Sequence, residues 1–134
     1  MIAVIFEVSF NPDCPDALAG YQQLATELSE TLHSMDGFIS IERFQSLREP
    51  GKILSLSFWR DEDAVRAWRN LDAHRAAQIA GRSHLFSGYR LRIADVIRDY
   101  GMTERDQAPA DSKGLHGANQ SATDKSKFTH PREL

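Results

Sequence analysis

The chain contains one cysteine, Cys14, so no disulfide can form within it and no cysteine-based zinc site is expected. Nor does it have an apolar run approaching the roughly 20 residues that a helix needs to cross a bilayer, so no membrane role is expected. Basic residues do not predominate. Lys and Arg total 16 against 19 Asp and Glu, a net charge of −3, which leaves no positive field to draw in nucleic acid. No glycine-rich phosphate loop or dinucleotide fingerprint follows a strand, so a tightly held flavin or nicotinamide is not indicated. The apolar start, MIAVIFEVSF, lacks the basic n-region and small-residue cleavage site of a secretion signal. It alternates instead as a strand does, and a cytoplasmic location is the expectation.

What is present suits one soluble domain. In 134 residues, 41% are hydrophobic and 26% charged, enough for a single core. Residues 2–9 read as a strand with Ile2, Val4, Phe6 and Val8 on one side. Asn11-Pro12-Asp13 ends it, and Asp13 or Cys14 is expected to cap a helix whose buried stripe is Leu18, Tyr21, Leu24, Ala25, Leu28 and Leu32. The helix should end near Met35, before Asp36-Gly37. A second strand, Phe38 to Gln45, is expected to oppose Phe38, Ser40, Glu42 and Phe44 to Ile39, Ile41 and Arg43. The turn Arg48-Glu49-Pro50-Gly51 leads to a third, Lys52 to Trp59, with Leu54, Leu56 and Phe58 on one face. Ile53, Ser55, Ser57 and Trp59 take the other face, where small hydroxyls leave space beside a large ring.

Asp61-Glu62-Asp63 places acids in the first turn of a second helix, with Ala64, Val65, Trp68 and Leu71 on its apolar face. Asp72-Ala73 reads as an interruption before a short helix from His74 to Ala80, and a fourth strand is expected from Tyr89 to Tyr100. Residues 101–134 turn polar and rich in Gly, Ser, Asp, Lys and Pro, a composition that cannot bury enough apolar surface to order itself. Two parts follow: a domain over residues 1–100 and a flexible tail over 101–134. The element order gives an α+β fold of the ferredoxin-like split βαβ type, a four-stranded antiparallel sheet with two helices on one face. The bare face would carry large apolar side chains from strands one, three and four. A homodimer closing two sheets face to face is therefore expected.

The hairpin GFISIERFQSLREPGKILSLSFWRDEDAVRAWR and the helix His74-Arg75-Ala76-Ala77-Gln78 resemble the antibiotic biosynthesis monooxygenase superfamily of dimeric α+β barrels over about residues 1–100. The resemblance implies one of several chemistries. Cofactor-free members oxidise phenols or quinols with O2 in a pocket containing a helix tryptophan, a position matched by Trp68. Haem-degrading members need that tryptophan, an iron-ligating histidine ten residues later and an asparagine in the first strand. Here those last two positions hold Gln78 and, nearby, Glu7. The leading expectation is thus a cofactor-independent monooxygenase for a small aromatic phenol or quinol, with haem binding or haem degradation second and a non-enzymatic ligand-binding or stress protein third. Trp68 and His74 are the candidate catalytic residues, His74 as base. Phe58, Gln78 and Arg82 are the candidate substrate contacts, and no metal site is expected. The ordinary alternatives are core packing for Trp68 and a solvated or capping role for His74. Ser55 and Ser57 have no Asp/His relay, which argues against a serine nucleophile. Glu42 and Asp95 are the expected ion-pair acceptors for the arginines of strand four.

Overall fold

The computed structural model describes residues 1–78 and 85–112, and the side chains of α2 as far as Leu71. The chain forms two compact units, residues 1–96 and 97–134. In the first unit the elements follow the order β1 (Ile2–Phe10), α1 (Ala17–Ser34), β2 (Phe38–Gln45), β3 (Lys52–Trp59), α2 (Glu62–Gln78) and β4 (Phe86–Asp95). The strands make one antiparallel sheet in the order β2-β3-β1-β4, so β1 sits inside with β3 and β4 on its two sides. This is the ferredoxin-like arrangement expected from the element order. Packing of α1 against β2 and of α2 against β3 puts both helices on one face.

Cross-strand register fixes that face. Ile2, Val4, Phe6 and Val8 pair with Trp59, Ser57, Ser55 and Ile53 in turn, and on the other side with Asp95, Ile93, Leu91 and Tyr89. Side chains of paired residues point the same way, so these rows form the helix-side surface. Along β3 burial alternates strictly, with Ile53, Ser55, Ser57 and Trp59 buried. Trp59, 1% exposed, anchors the core with Leu32, Ala64 and Val65, and Met35, Phe38, Ile41 and Trp68 pack around them. A second cluster joins Val8, Tyr21 and Ile53 to Phe10 and Phe86, whose rings lie 6.2 Å apart.

Several boundaries differ from the sequence reading. α1 begins at Ala17 with Asp16 at its N-cap, not at Asp13 or Cys14. Asn11 Oδ1 accepts from the Asp13 N–H, and the Cys14 and Ala17 amides donate to the carbonyls of Asn11 and Cys14, so turns occupy the residues before the helix. α2 runs unbroken through Asp72-Ala73 as far as Gln78. β4 begins at Phe86 and stops at Asp95, so it is shifted towards the N-terminus of its expected range. In β2 the register slips between Phe38 and Ser40, a bulge at Ile39. Phe38 therefore shares the helix-side face with Ile41 and Arg43, and its ring stands edge-on to Trp59 at 5.3 Å. The ion-pair acceptor for Arg92 is Glu7, at 3.2 Å, rather than Glu42 or Asp95.

Two tight connections end on one clamp. Arg60 donates from Nη1 and Nη2 to the two carboxylate oxygens of Asp36, at 3.2 and 3.1 Å, and from Nε to Asp61. The guanidinium holds the Asp36 carboxyl below its ordinary range. The Asp61 carboxyl is also lowered, first by the Ala64 N–H that it accepts as the cap of α2 and then by Arg60. All three groups are solvated, so the clamp contributes modestly to stability and mainly fixes the geometry of the turn.

In the second unit, Arg105 lies 5.1 Å over the ring of Tyr100 and donates to the carbonyl of Gly101 and the hydroxyl of Ser112. The Asp99 N–H donates to Gln107 Oε1 at 2.7 Å. These bonds close a short irregular turn over residues 99–112. The remainder of the polar tail lies outside the described residues.

Candidate functional site

The helix-side surface is not evenly covered. Where the helices sit over β2 and β3 it forms core, but across β1 and β4 it opens. Leu91 and Ile93 are 49% and 41% exposed, and Tyr89 is more exposed still. Phe6 adjoins Tyr89 at 5.6 Å between ring centroids. The result is an apolar strip on the floor of the sheet, Val4 and Phe6 continuing into Leu91 and Ile93. On its β3 side stand the two buried serines.

Trp68 lies at the boundary between core and strip. It projects from the second turn of α2, half-buried against the Trp59 cluster, with the two indoles tilted at 31° and 6.3 Å between centroids. Trp59 donates its indole N–H to Ser57 Oγ at 2.9 Å. Ser55, one pleat along, has no hydrogen-bond partner among the described residues, although it is only 8% exposed. The half-buried Trp68 beside a floor of aliphatic and aromatic side chains suits a small, largely apolar guest. The apolar stripe of α2 presents Trp68, while the alternation of β3 buries Trp59 in the core behind it.

Trp68 thus occupies a position that serves core and pocket at once. Phe58 does not join it. Register places Phe58 on the outer sheet face with Leu54 and Leu56, opposite Trp68, because β3 turns its Ile-Ser-Ser-Trp parity towards the helices. The substrate contact expected of Phe58 is therefore not available on the helix side, where its neighbour Trp59 is buried in the core. Alternation alone could have found it, since a strand parity carrying two serines beside a tryptophan is unusual floor for a core. His74 and Gln78 are on α2, but their side chains lie outside the described residues, as does all of Arg82.

Glu7, near the strand-one asparagine position of the haem set, points to the outer face and pairs there with Arg92, across the sheet from Trp68. The outer face itself carries Ile5, Leu54, Leu56 and Phe58 at its centre and the exposed Phe44 on β2. β4 supplies Arg90 and Arg92 there, rather than the apolar side chains expected of it, since Tyr89, Leu91 and Ile93 point the other way.

Residues 1–80 match the antibiotic biosynthesis monooxygenase family. A jasmonate monooxygenase from Pyricularia oryzae is 44% identical over 96 residues, which is 72% of this chain and 43% of that protein. The chain thus spans less than half of that relative's length. Among solved structures, one from Deinococcus radiodurans assigned to the same family superposes with a TM-score of 0.63 at 17% identity, covering 76% of this chain and 98% of the other. A variant of MhuD, crystallised with two manganese protoporphyrin IX molecules per active site, gives a TM-score of 0.55 at 15% identity, covering 75% and 99%. At these identities the structural likeness is one of fold.

Proposed function

The chain belongs to the antibiotic biosynthesis monooxygenase family, and on that premise we propose that it is a monooxygenase acting with O2 on a small apolar substrate laid along the β1–β4 strip against Trp68. The observation that carries this reading is the open apolar floor, Phe6, Leu91 and Ile93, on the same sheet face as the half-buried Trp68. The favoured substrate is a phenol or quinol that supplies its own electrons. A phenol oxidised to a quinone loses its hydroxyl hydrogen and one ring hydrogen and gains one oxygen atom, while the other oxygen of O2 leaves as water. All four electrons come from the ring, and no cofactor is required. His74, six residues after Trp68 on α2, is the proposed base for ionising the phenol, with Gln78 and Arg82 as proposed polar contacts.

A second reading rests on the Pyricularia relative: a jasmonate-like cyclic keto acid, hydroxylated at carbon. That reaction takes two further electrons, from a reductant such as a reduced nicotinamide. Incubation with 18O2 separates the two. Dihydroxynaphthalene should give a quinone carrying one heavy oxygen without added reductant, and Trp68→Ala should lower kcat/KM on the order of tenfold or more. Labelling of jasmonate alone, and only with reduced nicotinamide, would establish the second reading and remove the first. Absence of labelled product from either would remove the oxygenase reading.

We further propose that the chain is a homodimer through the outer face. Ile5, Leu54, Leu56 and Phe58 form an apolar centre that no element of the first unit covers, ringed by the Glu7–Arg92 pair and by Glu42. Leu56→Asp should convert a sedimenting dimer to monomer at micromolar concentration, since it would bury carboxylates in an apolar contact. A wild-type monomer, or an unshifted dimer in the variant, would contradict it.

A further inference from the structure

One hydroxyl on the floor of the strip is held in a single orientation. Ser57 is 6% exposed, and its oxygen accepts the Trp59 indole N–H at 2.9 Å. An indole can only donate, so this bond occupies a lone pair of Ser57 and leaves the serine O–H to find an acceptor of its own. Among the described residues no acceptor is recorded for it. A buried hydroxyl hydrogen without a partner loses its hydration for no return. Its cross-strand neighbour is Val4, and beyond that lies Ile93 on the open strip. Ser55 stands one strand repeat away, roughly 7 Å, with Arg43 as its partner on β2.

We infer that Ser57, oriented by Trp59, is the hydrogen-bond donor that fixes an oxygen of the ligand, a carbonyl or phenolate carried on an apolar ring. The inference rests on the placement of the ligand along the strip and adds what selects it there. The indole bond does two things. It takes up one of the two lone pairs of the hydroxyl, which favours use of the serine as a donor. It also polarises the O–H, which strengthens the bond that the hydroxyl gives. Ser57 is a binding and positioning residue in this scheme, with no covalent step of its own. A phenolate and a cyclic ketone share the chemistry required, so both substrate classes considered above meet the same hydroxyl.

Calorimetric titration of the full chain with 1-tetralone and with tetralin tests this, because the two differ only by the carbonyl. Wild type is expected to bind the ketone more tightly. Ser57→Ala should cut that preference about three- to tenfold, the range of one neutral hydrogen bond, while tetralin binding stays where it was. Ser57→Cys, close in shape and a weak donor, should fall on the side of alanine and serves if alanine disturbs the fold. A ketone-to-hydrocarbon ratio unchanged in these variants, with both ligands still bound, overturns the assignment of Ser57 and leaves the strip intact. Failure of wild type to bind either ligand overturns the strip itself, and the assignment with it.

Discussion

Trp59→Ala is expected to destabilise the chain by about 3–5 kcal/mol, the range for emptying a fully buried aromatic site. Few positions in a domain of this size could match that. Trp59 is in contact with three structural elements at once: Leu32 of α1, Ala64 and Val65 of α2, and Phe38 of β2. Truncation would leave a void that none of these can fill without moving a helix. It would also release the Ser57 side chain from the hydrogen bond that it makes with this indole. Against a total stability of about 5–15 kcal/mol for a small domain, the loss removes a large share. Urea denaturation followed by fluorescence of the remaining Trp68 would measure it; a fall below about 1.5 kcal/mol would mean that the cluster repacks around the vacancy. Trp59→Phe should cost much less, since the ring remains.

The second large effect is expected at Gly37. Its φ of +86° is one that L side chains rarely adopt, and a Cβ there would come within 2.6 Å of the Ala64 side chain. Gly37→Ala therefore combines about 1–2 kcal/mol of backbone strain with about 1–3 kcal/mol of overpacking against α2. A loss of about 2–5 kcal/mol follows. Its neighbours make retreat difficult. The Gly37 carbonyl accepts from the Arg60 amide at 2.8 Å, and Arg60 clamps Asp36. Thermal melts of Gly37→Ala alone and with Ala64→Gly would separate the two contributions, because the second change removes the clash and leaves the strain. Equal losses in both backgrounds would assign the whole effect to the backbone.

The order of elements and the ferredoxin-like fold were legible because strand and helix periods are distinct in this chain. Alternation across residues 2–9 and 52–59 and the three- and four-residue spacing through α1 all point one way. Faces were harder to read. On β3 one parity carries Leu54, Leu56 and Phe58 and the other carries two serines, so apolar content alone favours the wrong side as the pocket wall. Burial in fact follows Trp59, whose large ring the helices enclose, and the serines are carried in with it. The bulge at Ile39 shows a different limit. One inserted residue reverses the parity of everything before it, and nothing in GFISIE marks where the insertion falls. Helix starts failed for a third reason. Asn11 satisfies the turn locally, so capping residues at 13 and 14 were spent on turns rather than on α1. The packing of Trp68 was legible, since it lies on the apolar stripe of α2 and the structure sets it against the Trp59 cluster. The oriented serine was not, since it depends on a side chain two residues away folding back along its own strand.

The central position of β1 has a consequence for how the chain is made. Its two neighbours in the sheet, β3 and β4, both lie later in the sequence, the nearer beginning at Lys52 and the farther at Phe86. During synthesis the first strand to leave the ribosome is thus the one that has longest to wait, with Ile2, Val4, Phe6 and Val8 bare on one side. Its first partner arrives only with the hairpin, and its second only when the last strand is complete. Every strand pairing that β1 makes is long in sequence, which slows closure of the sheet and prolongs the interval in which an apolar edge meets other nascent chains. Glu7 and its later partner Arg92 place opposite charges on the two sides of that final seam, where they favour the correct edge over a stray one.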